Sequence, residues 1–158
     1  RYSGNNIHQV FNKLLLNSDF YEAIAYFTAK IMYSLNNYAS KNDKYSKPDQ
    51  KIFFRGISMP YTCLIPYIRQ KGKIICFSCF NSTSESRNIA NNFANRLKSK
   101  EVYELTLNFS VVFKINNIYQ NGYIPNSINI QDVSEYNDEK EYLFQPFSFF
   151  YLTNISII

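Results

Sequence analysis

The spacing of apolar residues over the first 40 positions predicts two amphipathic helices. The first apolar stripe recurs at intervals of three and four residues and consists of Ile7, Val10, Phe11, Leu14 and Leu15. A second helix is predicted to begin after Asp19, with Glu22 as its capping-box partner. Its stripe consists of Phe20, Ile24, Phe27, Ile31 and Leu35. The polar segment at residues 40–50, SKNDKYSKPDQ, predicts a loop.

From Lys51 onward the pattern favours short strands. KIFFR predicts a strand that ends at Gly56, and KIICF predicts a buried strand. The intervening segment from Pro60 predicts a short helix that is interrupted at Pro66. Ser84 is expected to cap a further helix, whose apolar face would consist of Ile89, Ala90, Phe93, Ala94 and Leu97.

The last third of the chain predicts further strands. The segments are VVFKI, the aromatic tail EYLFQPFSFFYL and an alternating run of Tyr103, Leu105, Leu107 and Phe109. Helices followed mainly by strands indicate an α+β domain. We therefore expect a single domain over 1–158, with a helical N-terminal part at 1–50 and a β-rich core at 51–158.

Composition narrows the class of protein. The chain has 158 residues, of which 46% are hydrophobic and 18% aromatic, so it can bury a core and is not a disordered chain. No apolar run reaches the ~18 residues of a membrane helix, so we expect no membrane span. Because the sequence starts with Arg1, we expect a processed chain or a domain of a longer protein.

Charge is distributed unevenly along the chain. Residues 1–100 contain 15 basic and 5 acidic side chains, whereas residues 101–158 contain 2 basic and 7 acidic ones. The basic part can meet an anion such as a nucleotide or nucleic acid, and the acidic part can meet a cation. Ordinary scatter of surface charge explains the same counts, so charge alone does not decide between these interpretations.

The cysteines give no clear indication of a redox or metal site. Cys76 and Cys79 form a C-x-x-C, but it lies in a predicted strand rather than at the start of a helix. Cys63 and His8 would complete a set of four zinc ligands without the paired spacing of such sites. We expect the three cysteines to be buried apolar residues and expect no metal.

Three short segments carry candidate chemistry. In FFRG, Arg55 offers a planar fork of donors beside the bare backbone of Gly56, which suits a phosphate or ribose. In FNSTS, the hydroxyls of residues 82–84 can cap a helix or bind a ligand. In EKE, Glu139 and Glu141 are expected on one side of an extended chain. Taken singly, each segment is explained as well by a surface arginine, a cap or a solvated turn.

Together the three segments resemble the R-S-E class of ADP-ribosyltransferases, in particular the arginine-specific mono-ADP-ribosyltransferases. FFRG, FNSTS and EKEYLFQPF stand in the order of that class at compatible separations. The helical front and the segment SINIQDVSEYNDEKE also resemble the family, so the likeness covers nearly the whole chain. It implies a mixed, mainly antiparallel two-sheet core around an NAD cleft. The related class with histidine in place of the arginine is disfavoured, because the only histidine is His8 in the first helix.

The resemblance implies a role for each matching residue. Arg55 would hold the phosphate or ribose of NAD, Gly56 would present its backbone to nicotinamide, and Ser82 would bind ribose and orient Glu141. Glu141 would be the catalytic carboxylate, and Glu139 would select the substrate. The other implied NAD contacts are Thr83, Ser84, Phe93 and Arg96, with core packing as the alternative for Phe93 and Arg87 as the rival of Arg96. Tyr136 would meet the target protein.

The implied activity is transfer of ADP-ribose from NAD to an arginine of a target protein, with release of nicotinamide. Loss of nicotinamide leaves an oxocarbenium-like transition state that a carboxylate stabilises. A second carboxylate can bind the charged guanidinium and accept its proton. Alternatives are an NAD glycohydrolase with water as acceptor, a basic aromatic-rich module that binds nucleic acid or protein, and an inactive relative. We expect a monomer that is a secreted effector, toxin or extracellular domain.

Overall fold

A computed structural model describes residues 12–15, 21–41, 51–95, 108–117, 127–134 and 137–156. It contains the predicted mixture of helices and strands. The helices are α1 (Tyr21–Lys41), α2 (Tyr61–Arg69) and α3 (Arg87–Asn95), and residues 12–15 are also helical. The strands are β1 (Lys51–Pro60), β2 (Ile74–Phe77), β3 (Asn81–Ser84), β4 (Asn108–Asn117), β5 (Ser127–Asn129), β6 (Glu141–Phe144) and β7 (Ser148–Tyr151), and a 3₁₀ turn, Asn137–Glu139, precedes β6.

The strands form two antiparallel sheets. The larger sheet has the order β4-β1-β3-β6-β5, and the smaller one pairs β2 with β7. The prediction of an α+β fold with a mainly antiparallel two-sheet core is confirmed. The order places β1, β3 and β6, the strands that carry the three sequence motifs, next to one another.

An aromatic core joins the two sheets. Phe53 of β1 contacts Tyr142 and Phe144 of β6, with ring centroids 4.6 and 5.6 Å apart. Phe144 in turn lies 5.3 Å from Phe150 of β7 in the smaller sheet, and Phe77 lies 5.1 Å from Phe150. Tyr142, Phe144 and Phe150 of the aromatic tail therefore pack the two sheets together, whereas Phe147, Phe149 and Tyr151 are exposed.

Helix α3 packs on the opposite face of β1. Side chains alternate along a strand, so Phe54 and Gly56 face away from the core that contains Phe53. A β-carbon added to Gly56 would lie 1.6 Å from the carbonyl oxygen of Ala90. The glycine therefore permits close packing of α3 and does not end β1, which pairs with β4 over all ten of its residues. The predicted end of the strand at Gly56 is wrong.

Three other local predictions need correction. Helix α2 runs through Pro66 without interruption. Proline has no backbone N–H, so the carbonyl oxygen of Thr62 lacks its helical donor, but Thr62 is exposed and water can replace that donor. Strand β2 is buried on one face only: Ile75 and Phe77 face the core, whereas Ile74 is 67% exposed. The predicted stripe of α1 is displaced: Phe27 is 60% exposed, whereas Thr28 is buried. Periodicity gives the helix but does not determine which residues the neighbouring elements cover.

Some predictions fall outside the described residues. They concern His8 and the start of the first apolar stripe, Leu97, the alternating residues 103–107 and Tyr136. Within the described ranges, none of the helices is both long and apolar enough to span a bilayer.

Candidate active site

The side chain of Arg55 is hydrogen-bonded to the backbone of the FNSTS segment. Arg55 lies on β1 opposite Phe113 of β4, and its Nη1 donates a hydrogen bond of 2.8 Å to the carbonyl oxygen of Ser82. Desolvation by burial lowers the pKa of the guanidinium below its ordinary value, while Cys79 and Tyr67 act in the opposite direction. Arg55 is half-buried, and a guanidinium is more weakly hydrated than an ammonium group, so it is well suited to bind an anion.

The FNSTS segment is a strand and not the connection to a helix that the sequence predicts. Its serines and threonine form β3, which pairs with both β1 and β6. Ser82 is exposed and lies opposite Leu143. Thr83 is buried, and its hydroxyl donates to the carbonyl oxygen of Tyr142 at 2.9 Å. Of the three hydroxyl residues, Ser82 is therefore the one that is open to a ligand.

Ser84 connects the second motif to the third. Its hydroxyl donates to the carbonyl oxygen of Glu139 at 2.5 Å and accepts a hydrogen bond from the backbone N–H of Ser86 at 3.0 Å. Its Cα is also the partner of Glu141 in the β3–β6 register. Helix α3 begins at Arg87, two residues after the position that a capping Ser84 would require. The predicted cap is wrong, because Ser84 still belongs to β3.

The sequence predicts that the two carboxylates of EKE lie on one side of an extended chain, and the structure differs. Glu139 ends the 3₁₀ turn, Lys140 has a φ of 46° in the left-handed region, and Glu141 begins β6. The relative direction of the two side chains is therefore determined by a turn and not by strand alternation. A non-glycine residue in this conformation has a cost that the surrounding contacts must offset, and the Ser84 bond to Glu139 is one such contact.

The carboxylate of Glu141 has a partner that the sequence did not indicate. Ser134, in the turn after β5, donates its hydroxyl to Oε2 of Glu141 at 2.7 Å. The side chain of Glu141 leaves β6 on the face opposite Tyr142 and on the same face as Ser82 and Ser84. Ser134 precedes Glu141 by seven residues, and the sequence assigns it no role, so only the folded chain brings the two together.

The remaining residues implied by the resemblance lie on β1 and α3. Gly56 lies against the backbone of α3, where no side chain fits. Phe93 is half-buried on α3, next to the fully buried Ala94. Arg87 is exposed in the first turn of that helix, and Arg96 lies outside the described residues.

An apolar groove lies beside this cluster. Its volume is about 380 Å³, and its lining comprises one side of α1 and one residue of the turn after β5: Lys30, Ile31, Ser34, Leu35, Tyr38 and Val133. Val133, which is 62% exposed, is the residue before Ser134. None of the four predicted catalytic residues lines the groove, so it is a neighbour of the cluster and not its centre.

The cysteines are less buried than the sequence predicted. Cys63 and Cys76 are exposed, and Cys79 is half-buried. Cys76 is exposed because it lies on the outer face of the two-stranded sheet. Burial raises the pKa of the Cys79 thiol, against smaller opposing effects of Ser78 and Arg55. In the part of the chain that the structure describes, no three His, Cys, Asp or Glu residues form a group able to hold a metal ion.

The fold of this chain is similar to that of a solved ADP-ribosyltransferase. The chain is similar to the solved structure of ADP-ribosyltransferase Vis in complex with the M6 inhibitor, with a TM-score of 0.62 and 22% identity over 95% of this chain and 61% of that one. The agmatine complex of Vis gives a TM-score of 0.60, with 21% identity over 96% of this chain and 63% of that one. The structure of Vis toxin from Vibrio splendidus gives a TM-score of 0.58, with 20% identity over 96% of this chain and 62% of that one.

These likenesses show the fold. The chain spans about three-fifths of the length of the Vis structures. Comparison with protein-family models and with curated protein sequences finds no match. The fold implied by the resemblance of the three motifs is confirmed by the solved structures.

Proposed function

We propose that the chain is a mono-ADP-ribosyltransferase that moves ADP-ribose from NAD to an arginine side chain of a target protein. The observation that carries the proposal is the meeting of the three motifs on neighbouring strands. Arg55 is hydrogen-bonded to Ser82, and Ser84 is hydrogen-bonded to Glu139. Motifs separated by about 30 to 60 residues along the sequence thus form one cluster in an ADP-ribosyltransferase fold.

Glu141 is the proposed catalytic carboxylate. Cleavage of the bond to nicotinamide builds positive charge on the ribose, and a fixed carboxylate stabilises that charge more in the transition state than in the ground state. Glu141 suits this role because its position is defined by strand pairing with Ser84 and by the hydrogen bond from Ser134. A freely moving carboxylate would lose part of this stabilisation to reorganisation.

The other residues assigned to the site fit the chemistry of NAD. Arg55 supplies a cation for the phosphates or a donor for the ribose, and the exposed hydroxyl of Ser82 lies on the same face as Glu141. We assign contacts with NAD to Gly56, Phe93 and Arg96 as well. Thr83 and Ser84 support the site from within the sheet, since their hydroxyls bind backbone oxygens of β6 and of the turn before it.

Glu139 is the proposed acceptor-selecting residue. A guanidinium has a pKa far above neutral pH and arrives protonated, so a nearby carboxylate can bind it and accept a proton as the new bond forms. Support for a guanidinium acceptor comes from the complex of Vis with agmatine, because agmatine carries the same guanidinium group as arginine. By the same analogy with Vis toxin, we propose a secreted, toxin-like effector.

Labelled NAD tests the proposal. The purified chain is incubated with NAD and agmatine, and nicotinamide release and agmatine labelling are measured in parallel. Glu141→Ala should reduce both rates at least about 100-fold. Glu139→Gln should remove agmatine labelling and retain nicotinamide release. Asp138→Asn is the matched control for Glu139→Gln, because it removes an exposed carboxylate from the same turn, and it should retain both rates.

Three other outcomes would contradict the proposal. Nicotinamide release without any labelling of agmatine or lysate protein would identify an NAD glycohydrolase. Equal loss of both rates in Glu139→Gln, with NAD binding intact, would remove the acceptor role of Glu139. Absence of NAD binding, together with salt-dependent binding to single-stranded nucleic acid, would favour the basic binding module.

A further inference from the structure

We propose that Ser134 is the residue that positions the catalytic carboxylate, and this inference rests on the proposed function. The turn after β5 brings the Ser134 hydroxyl to 2.7 Å from Oε2 of Glu141. A hydroxyl that donates to a carboxylate makes a charge-assisted hydrogen bond, which is short and stronger than one between neutral groups. The bond selects one orientation of a side chain that otherwise has three rotatable torsions.

The turn that carries Ser134 is fastened to the strand that carries Glu141. The backbone N–H of Ile130 donates to the carbonyl oxygen of Glu141 at 3.1 Å, and the N–H of Ser134 donates back to the carbonyl oxygen of Ile130 at 2.8 Å. Glu141 is thus held by the same turn at its backbone and at its carboxylate. The distance between Ser134 and Glu141 is therefore set by a closed set of hydrogen bonds rather than by a free loop.

The base of the turn is also fixed. The side chain of Asn129 accepts a hydrogen bond from the N–H of Gln131 at 2.9 Å and donates to the hydroxyl of Tyr142 at 3.2 Å. Tyr142 is part of the aromatic core. The turn that carries Ser134 is therefore anchored to the core of the protein. A residue that preorganises a reacting group requires such support.

The serines of the FNSTS segment do not take this role in the structure. Ser84, directly opposite Glu141, uses its hydroxyl on the carbonyl oxygen of Glu139. Ser82 lies opposite Leu143, which is the next pair after Ser84 and Glu141 on the same face of the β3–β6 ladder. The sequence assigned the orientation of Glu141 to Ser82, and the geometry instead points to Ser134.

A matched set of serine variants tests the inference. Ser134→Ala should lower kcat for nicotinamide release about 10- to 100-fold, the range expected for a misplaced catalytic group, with KM for NAD and the unfolding temperature unchanged. Ser134→Thr should restore most of kcat, because it retains the hydroxyl. Ser40→Ala is the control, since Ser40 is exposed on α1 and donates to the carbonyl oxygen of Asn37 in the same helix. It should retain full activity.

A double variant separates positioning from a general structural effect. If Ser134 acts through Glu141, Ser134→Ala should not lower the residual rate of Glu141→Ala any further. Full activity of Ser134→Ala beside an inactive Glu141→Ala would overturn the inference and leave the proposed function standing. So would a loss of unfolding temperature and of NAD affinity that Ser134→Thr does not restore. Absence of turnover in the unsubstituted chain would instead refute the proposed function, and the inference with it.

Discussion

Replacing Gly56 with alanine tests how closely α3 packs on the central sheet. The new β-carbon would lie 1.6 Å from the carbonyl oxygen of Ala90, 2.5 Å from its carbonyl carbon and 2.9 Å from the backbone nitrogen of Ala94. All three atoms belong to the helix backbone, so rotation of a side chain cannot relieve the clash. The substitution adds one methyl group and no charge, and any effect on stability therefore reports the separation of helix and strand.

The magnitude follows from the displacement that the methyl group imposes. Real β-carbons keep at least about 3.0 Å from such atoms, so α3 must move by about 1.4 Å near Ala90. That movement would open the contact in which Ala90 and Ala94 are almost completely buried. Overpacking typically costs about 1–3 kcal/mol, and a clash with helix backbone belongs at the upper end, about 3 kcal/mol. For a chain of this length, the loss corresponds to a fall of roughly 6–12 °C in the unfolding temperature.

The assay is thermal unfolding monitored by circular dichroism, with urea titration as a second measure of the free energy of unfolding. Gly72→Ala is the matched control, because Gly72 has a φ of 78° and, among the described residues, an added β-carbon there would meet only the Tyr151 hydroxyl, at 3.9 Å. It should cost about 1 kcal/mol through backbone strain alone. An unfolding temperature of Gly56→Ala within about 2 °C of the unsubstituted chain, or a loss smaller than that of Gly72→Ala, would refute the close packing.

Two further predictions concern stability and thiol chemistry. Ser58→Ala should leave stability unchanged or raise it by up to about 1 kcal/mol in urea titration, because the Ser58 hydroxyl is buried without a hydrogen-bond partner among the described residues; a clear loss would reveal a partner. Cys79 should be alkylated by iodoacetamide more slowly than Cys63 and Cys76 at pH 8, because burial raises the pKa of its thiol and lowers its thiolate fraction. For the same reason, the alkylation rate of Cys79 should rise over a higher pH range than that of an ordinary thiol. Mass spectrometry of each labelled cysteine checks the order, and faster labelling of Cys79 would contradict its burial.

The elements that depend on local pattern were predictable from the sequence. Helix α1 follows from an apolar period near 3.6, and strands β4, β6 and β7 follow from short apolar and aromatic runs. The resemblance of the three motifs also predicted the two-sheet fold, which the solved structures confirm although overall identity is only about 20%. These features are determined by residues that are close together in the sequence, so they can be predicted without the contacts between distant segments.

Features that depend on packing between distant segments were missed. The sequence made Gly56 the end of a strand, whereas the structure makes it the contact for a helix that begins about 30 residues later. It made Ser84 a helix cap, whereas pairing of β3 with β6 turns the same hydroxyl towards Glu139. In both cases a local interpretation was reasonable, and an interaction across the sheet took precedence over it.

The sequence by itself determined the fold class and the residue types of the candidate site: an arginine, a run of hydroxyls and a pair of carboxylates in a fixed order. The tertiary structure alone decided how these groups are held. It paired β1, β3 and β6, placed a turn between Glu139 and Glu141, and brought Ser134 to the carboxylate of Glu141. The physical reason is that a side chain's direction and partners are fixed by strand register and by hydrogen bonds between segments, and neither is encoded in the spacing of residues along one segment.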